Sequence, residues 1–198
     1  MAPLLDIRPL GPPVPDLSTF DAIAFTSRNG VEAFAELCHE RRLPVFTVGE
    51  STAGAARDAG FTSVRSADGA LADLVHLLAR AVPAGGGVLV PGARETAGDI
   101  AAMLRGTVGI RTLAVYEVIE PDRRPPPDFD AVLIHSTRAA RALCLAVGPD
   151  GGRGRLAIAI SAAAASALSP AGFATVAIAT RPTGGCVLEA LGKAPPAI

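Results

Sequence analysis

Asp21-Ala-Ile-Ala-Phe-Thr-Ser27 returns later in the chain as Asp130-Ala-Val-Leu-Ile-His-Ser136, and this echo decides the fold. Each stretch is a short apolar run ending at a serine and followed by an amphipathic helical pattern. Val31, Phe34, Leu37 and Cys38 share one face of the first helix, and Ala140, Leu143, Cys144 and Val147 share one face of the second. The echo continues. Val45 to Val48 with Gly49-Glu50-Ser51-Thr52 corresponds to Ala157 to Ile160 with Ser161-Ala162, and both lead through alanine-rich helices to Gly60-Phe61 and Gly172-Phe173. The spacing stays near about 110 residues throughout, which marks a duplicated unit.

Strands alternating with helices of this length predict an α/β protein with parallel sheets covered on both faces. The first copy continues with a strand at Thr62 to Arg65 and a helix whose N-cap is assigned to Asp68. A strand at Val88 to Val90, a helix containing Ile100, Met103 and Leu104, and a strand from Arg111 to Ile119 complete five strands. The second copy supplies three strands, the last at Ala174 to Ala179, and a closing helix near Gly185 to Leu191. Its sheet is therefore expected to be incomplete, with the leading segment Pro3 to Arg8 available to add a strand. Proline clusters (Pro9, Pro12, Pro13 and Pro15; then Pro121, Pro125, Pro126 and Pro127) flank the first copy as paired linkers, so it reads as an insertion. The predicted divisions are 1–17 as linker and remnant strand, 18–112 as the complete inserted domain, 113–128 as the second linker, and 129–198 as the remainder of the discontinuous domain.

The composition narrows the function. The chain has 198 residues and a formal net charge of -1, with a pI near 6.3, which argues against nucleic acid as the main partner. Leu156 to Thr180 is uncharged, but Ser169-Pro170-Ala171-Gly172 interrupts it, so strand, helix, turn and strand are predicted rather than a membrane span. The start lacks a signal-peptide pattern, and Cys38, Cys144 and Cys186 are scattered as reduced thiols would be; a cytoplasmic protein is expected. Gly85-Gly86-Gly87 precedes a strand, whereas a pyrophosphate loop follows one. Gly49-Glu50-Ser51 approaches the nucleophile elbow, but capping of the next helix by Ser51 or Thr52 is the simpler explanation. His39, His76 and His135 are isolated and imply no metal.

The candidate site is a set of hydroxyl residues where strands end: Thr26, Ser27, Ser51, Thr52, Ser136, Thr137 and Ser161. Ligands of open parallel sheets bind at that edge, and helix N-termini there present unpaired amides that suit anions. Arg28 and Arg138 add guanidinium groups at matching places in the two copies. N-capping and solvation account for each residue singly; their recurrence in both copies points to a polyanion. Tyr116, the one tyrosine, stands in a strand, where packing is its usual role. Near a linker its hydroxyl is also a candidate proton donor.

Phe25-Thr-Ser-Arg-Asn-Gly-Val-Glu-Ala-Phe34, Val48-Gly-Glu-Ser-Thr-Ala53, Val88-Leu-Val-Pro-Gly92 and Val115-Tyr-Glu117 stand in the order seen in uroporphyrinogen-III synthases. Leu133-Ile-His-Ser136, Ala159-Ile-Ser161, Gly172-Phe173 and Arg181-Pro-Thr183 follow in the same order. The chain resembles that family along nearly its whole length. The resemblance implies two flavodoxin-like domains joined by a two-stranded linker, one inserted in the other, with the family's opening strand and helix missing here. It implies a lyase of tetrapyrrole biosynthesis that cyclises hydroxymethylbilane to uroporphyrinogen III, losing water and inverting the last ring through an azafulvene and a spiro intermediate. No cofactor is needed, and a monomer acting without nucleic acid or membrane is expected. Tyr116 falls at the position of the family's best catalytic candidate, and Ser27, Thr52 and Ser136 match hydroxyls lining its cleft. Where many members carry Gly-x-Thr-Thr-Ala, this chain has Ser161-Ala-Ala-Ala-Ala165, which shifts or removes a hydroxyl contact. A shortened, non-catalytic relative that binds a tetrapyrrole is the alternative.

Overall fold

The computed structural model describes residues 4–96, 98–120 and 124–193; Pro3 of the leading segment and Pro121 of the linker lie outside them. Two compact units divide the chain. One is continuous, Ile7–Val118, and the other is assembled from the chain on both sides of it.

The strands are β1 (Asp6–Pro9), β2 (Ala22–Phe25), β3 (Val45–Thr47), β4 (Val64–Ser66), β5 (Gly87–Ala93) and β6 (Gly109–Ile119). They form one six-stranded sheet in the order β1-β6-β5-β2-β3-β4, and the pairs from β6 through β4 are parallel. The helices are α1 (Arg28–Leu37), α2 (Glu50–Asp58), α3 (Leu71–Ala81) and the single turn α4 (Ile100–Met103). Alternation along β2 explains the layering. Ile23 and Phe25 face α1 and α2, packing with Val31, Phe34 and Ala56; Ala22 and Ala24 face α3 and α4, packing with Leu74, Leu78 and Ile100. The ring of Phe25 lies 5.9 Å from that of Phe34 and 6.0 Å from that of Phe61, fixing the first layer around aromatic contacts.

The leading segment departs from expectation. Rather than adding a strand to the second sheet, it places Asp6–Pro9 beside β6, where the Leu10 amide donates to the Val115 carbonyl at 2.8 Å. The boundary between units falls within β1 and at the end of β6.

In the second unit, β7 (Ala131–Ile134), β8 (Leu156–Ala159) and β9 (Thr175–Ile178) form a separate three-stranded parallel sheet. Helices α5 (Thr137–Val147) and α6 (Ala162–Ser166) cover one face with Ala140, Leu143 and Ala164. Helix α7 (Gly184–Lys193) covers the other with Cys186 and Val187. Among the described residues, no helix is long and apolar enough to cross a membrane.

The duplicated Gly-Phe turns are alike in backbone: Gly60 has φ +93° and Gly172 φ +64°. The assignment of Asp68 as a cap is corrected. Asp68 itself adopts φ +48°, Ala70 stands at the N-cap of α3, and the Asp73 carboxylate accepts the Ala70 amide at 2.7 Å. The two aspartates stand five positions apart, and composition alone does not tell their duties apart.

Glycines in the two conformations give opposite expectations. Gly60→Ala places a side chain in the left-handed region and is expected to cost about 1–2 kcal/mol. Gly54→Ala, inside α2 with open space around the added carbon, is expected to stabilise by about 0.5–1 kcal/mol. Urea denaturation of the two variants measures both.

Candidate functional site

The order of the first sheet reverses around β2, whose neighbours are β3 on one side and β5 on the other, so the switch point lies between β2 and β5. Ser27 follows β2 there and is the N-cap of α1. Its extended backbone (φ -152°, ψ 154°) turns Oγ back to accept the Gly30 amide at 3.1 Å. Helix α1 lies close to β5 because residue 30 is glycine: a Cβ there would stand 3.0 Å from the Pro91 carbonyl oxygen.

Tyr116 reaches the same turn through an irregularity. Gly92 pairs with Ala114 but Ala93 pairs with Tyr116, leaving Val115 as an extra residue in β6. Such a β-bulge changes which face the following side chains occupy. Leu113 and Val115 pack against the α1–α2 layer before it, and Tyr116 and Val118 pack against the same layer after it. The Tyr116 ring is buried, with 6% of the residue accessible. Its hydroxyl lies 3.0 Å from Ser27 Oγ. The backbone is held as well, since the Arg94 amide donates to the Tyr116 carbonyl at 2.8 Å. Beside it, the Glu117 carboxylate is clasped by both Arg8 and Arg94.

The other candidates of this unit behave differently. Thr26 is exposed. Arg28 is exposed and pairs loosely with Glu32, one turn on in α1, at 3.6 Å. Ser51 and Thr52 do not cap α2; Gly49 occupies that N-cap with no side-chain bond. Ser51 is exposed in the first turn, whereas Thr52 is turned inward with 7% accessible. The run of hydroxyls disguised the cap because glycine fills that position by its backbone alone.

In the second unit, Ser136 and Ser161 are N-caps of α5 and α6. Ser136 Oγ accepts the Ala139 amide at 3.1 Å, and Ser161 Oγ accepts the Ala164 amide at 3.3 Å. Ser136 repeats the backbone of Ser27 (φ -164°, ψ 158°). Thr137 begins α5 half-buried. Arg138 bonds the Glu120 carboxylate through Nε at 2.8 Å, and its side chain stays partly open to solvent. His135, at the place of Thr26, is exposed. At the neighbouring strand end, hydrogen bonding with Thr183 and then Thr180 holds the Cys186 thiol below its ordinary range. Burial pushes the Cys144 thiol up. Sequence reasoning did not single out this Thr180–Thr183–Cys186 group. Its signal is the Arg181-Pro-Thr183 turn that starts α7.

Comparison with known proteins agrees with this architecture. A family model described as uroporphyrinogen-III synthase HemD matches residues 1–188. The structure is similar to that of uroporphyrinogen-III synthetase from Helicobacter pylori, at 21% identity and a TM-score of 0.73, covering 96% of this chain and 91% of that one. It is also similar to a mutant uroporphyrinogen III synthase from Thermus thermophilus, at 18% identity and a TM-score of 0.58, covering 96% and 86%. At these identities the structural likeness speaks to the fold. A search of curated proteins finds no match.

The capping assignments have a direct test. Ser136→Ala removes a cap and is expected to cost about 1 kcal/mol. Ser51→Ala removes an exposed, non-capping hydroxyl and is expected to change stability by less than about 0.5 kcal/mol. Equal losses in chemical denaturation would return Ser51 to the capping role.

Proposed function

Because the chain belongs to the uroporphyrinogen-III synthase family, we propose that it cyclises hydroxymethylbilane to uroporphyrinogen III, with loss of water and inversion of the last ring. The family match across residues 1–188 is the observation that carries this reading. In this reading the chain is a cytoplasmic, cofactor-free hydro-lyase that acts as a monomer on a small-molecule substrate.

Tyr116 is the general acid. As the C–O bond of the hydroxymethyl group breaks, the phenol's proton passes to the departing oxygen, which leaves as water, and the pyrrole nitrogen supplies electrons to form the azafulvene. The substituted carbon of ring D attacks it to give the spiro intermediate. Fragmentation and reclosure invert the ring, and the proton lost on rearomatisation balances the one lent by Tyr116. The support is position: the hydroxyl lies at the carboxyl edge beside the switch-point turn, bonded to Ser27.

Thr26, Arg28, Ser51 and Thr52, and separately Ser136, Thr137, Arg138 and Ser161, are the strand-end residues of each unit proposed to receive carboxylates. Exposed Thr26, Arg28 and Ser51 are open to ligand. Ser136 and Ser161 contribute chiefly by capping the turns at which α5 and α6 begin. Uncatalysed closure gives the uninverted isomer, so holding the chain ends in one geometry is the larger part of the catalysis.

Incubated with hydroxymethylbilane, the purified protein is expected to give the type III isomer in excess over type I, resolved by chromatography. Production of type I alone defeats the reading. Tyr116→Phe is expected to lower kcat by about 10²-fold, the low end for a general acid, because the substrate's hydroxyl also departs unaided.

A further inference from the structure

We propose that Ser27 is the positioning residue for Tyr116, joining the phenol to the amino end of α1 and stabilising the phenolate formed when Tyr116 gives up its proton. The proposal rests on the reading of Tyr116 as the acid of the cyclisation.

The bond inventory leads to it. A serine hydroxyl has one proton and two acceptor sites. One acceptor site of Ser27 Oγ is taken by the Gly30 amide at 3.1 Å, and the Tyr116 hydroxyl lies 3.0 Å away. While the phenol is neutral, either oxygen of that pair can donate. Once Tyr116 has released its proton its oxygen is acceptor-only, and Ser27 must donate to it. A continuous line then runs from the Gly30 amide to Ser27 Oγ and from the Ser27 hydroxyl to the phenolate. Each bond polarises the next. The line begins at the positive end of a ten-residue helix. The buried setting of Tyr116 strengthens the effect, since little water is present to screen the new charge.

The duplication supplies an internal contrast. Ser136 has the same backbone, the same cap and the same 3.1 Å bond to its helix. The chain has one tyrosine, and it stands on the Ser27 side. Capping alone therefore needs no phenol, and the Ser27–Tyr116 bond is an addition to the shared turn. It also changes the role given to Ser27 by its place among the strand-end hydroxyls: the side chain is engaged by helix and phenol rather than open for a carboxylate.

Three variants of the full chain separate donation from capping. Ser27→Thr keeps both. Ser27→Asp keeps the cap, since aspartate caps as well as serine, but it offers no proton and sets a negative charge beside the phenol. Ser27→Ala loses both. Relative to wild type, Ser27→Thr is expected within about twofold in kcat. Ser27→Ala should fall by about tenfold or more, as expected for losing one hydrogen bond to a charged group. Ser27→Asp should be the slowest although its denaturation midpoint stays near wild type, and KM should change little in all three. A readout free of turnover comes from the composition: with a single tyrosine and no tryptophan, the tyrosine Fermi doublet in the Raman spectrum reports the hydrogen bonding of Tyr116 alone. It should shift in Ser27→Ala and be restored in Ser27→Thr. An unchanged doublet in Ser27→Ala, or wild-type kcat in Ser27→Asp, overturns the positioning role. Type I product alone from the wild-type protein sinks the functional reading instead, so the two failures are distinguishable.

Discussion

One extra residue in β6 governs the arrangement at the switch point. Side chains on a strand alternate between faces, so Leu113 and Val115 on the α1–α2 side would send residue 116 to the opposite layer. The unpaired step at Val115 cancels that alternation and brings Tyr116 to the side where Ser27 ends β2. The ring then packs in the core while its oxygen meets the capping hydroxyl. Without the bulge the phenol faces the layer of α3 and α4, away from Ser27. A backbone irregularity, and not a change of residue type, supplies the contact on which the proposed chemistry rests.

Much of the architecture was legible because duplication repeats its signals. The echoed Asp-to-Ser strands, the two helix faces and the Gly-Phe turns all recur in the structure as β2 and β7, α1 and α5, and the positive-φ glycines at 60 and 172. What was illegible has physical causes. Register is one: nothing in Val115-Tyr-Glu117 states that a residue is skipped in pairing. Capping is another, because Gly49 caps α2 without a side chain, while Asp68 and Asp73 are equally plausible on residue type. Partnering of β1 is a third. Apolar character told that Pro3 to Arg8 holds a strand, but edge selection depends on which neighbour presents free backbone groups. The pairing of Arg138 with Glu120 was likewise unreadable, since the two meet only after folding, whereas Arg28 and Glu32 already stand at the i,i+4 spacing of a helical pair.

The two copies show which parts of a strand-to-helix turn tolerate change. Ser27 and Ser136 are nearly superposable in backbone and in their bond to the third helical amide. At the next turn the copies separate: Gly49 leaves the first amides of α2 without a side-chain partner, whereas Ser161 satisfies one in α6. Both solutions keep an extended N-cap residue. The backbone conformation is therefore the common inheritance, and the capping group has been free to vary.

Gly30 carries no functional group, yet it acts as a gauge for one. Any carbon attached there would press on the Pro91 carbonyl at 3.0 Å, and the helix would have to yield by a few tenths of an ångström. Ser27 caps that helix, and its own Oγ would stand 3.3 Å from the same added carbon, so the strain would fall beside the bond to the phenol. A seam between a helix and a strand thus bears on how closely the serine can approach the phenol, and a hydrogen atom in place of a side chain is what lets the seam close.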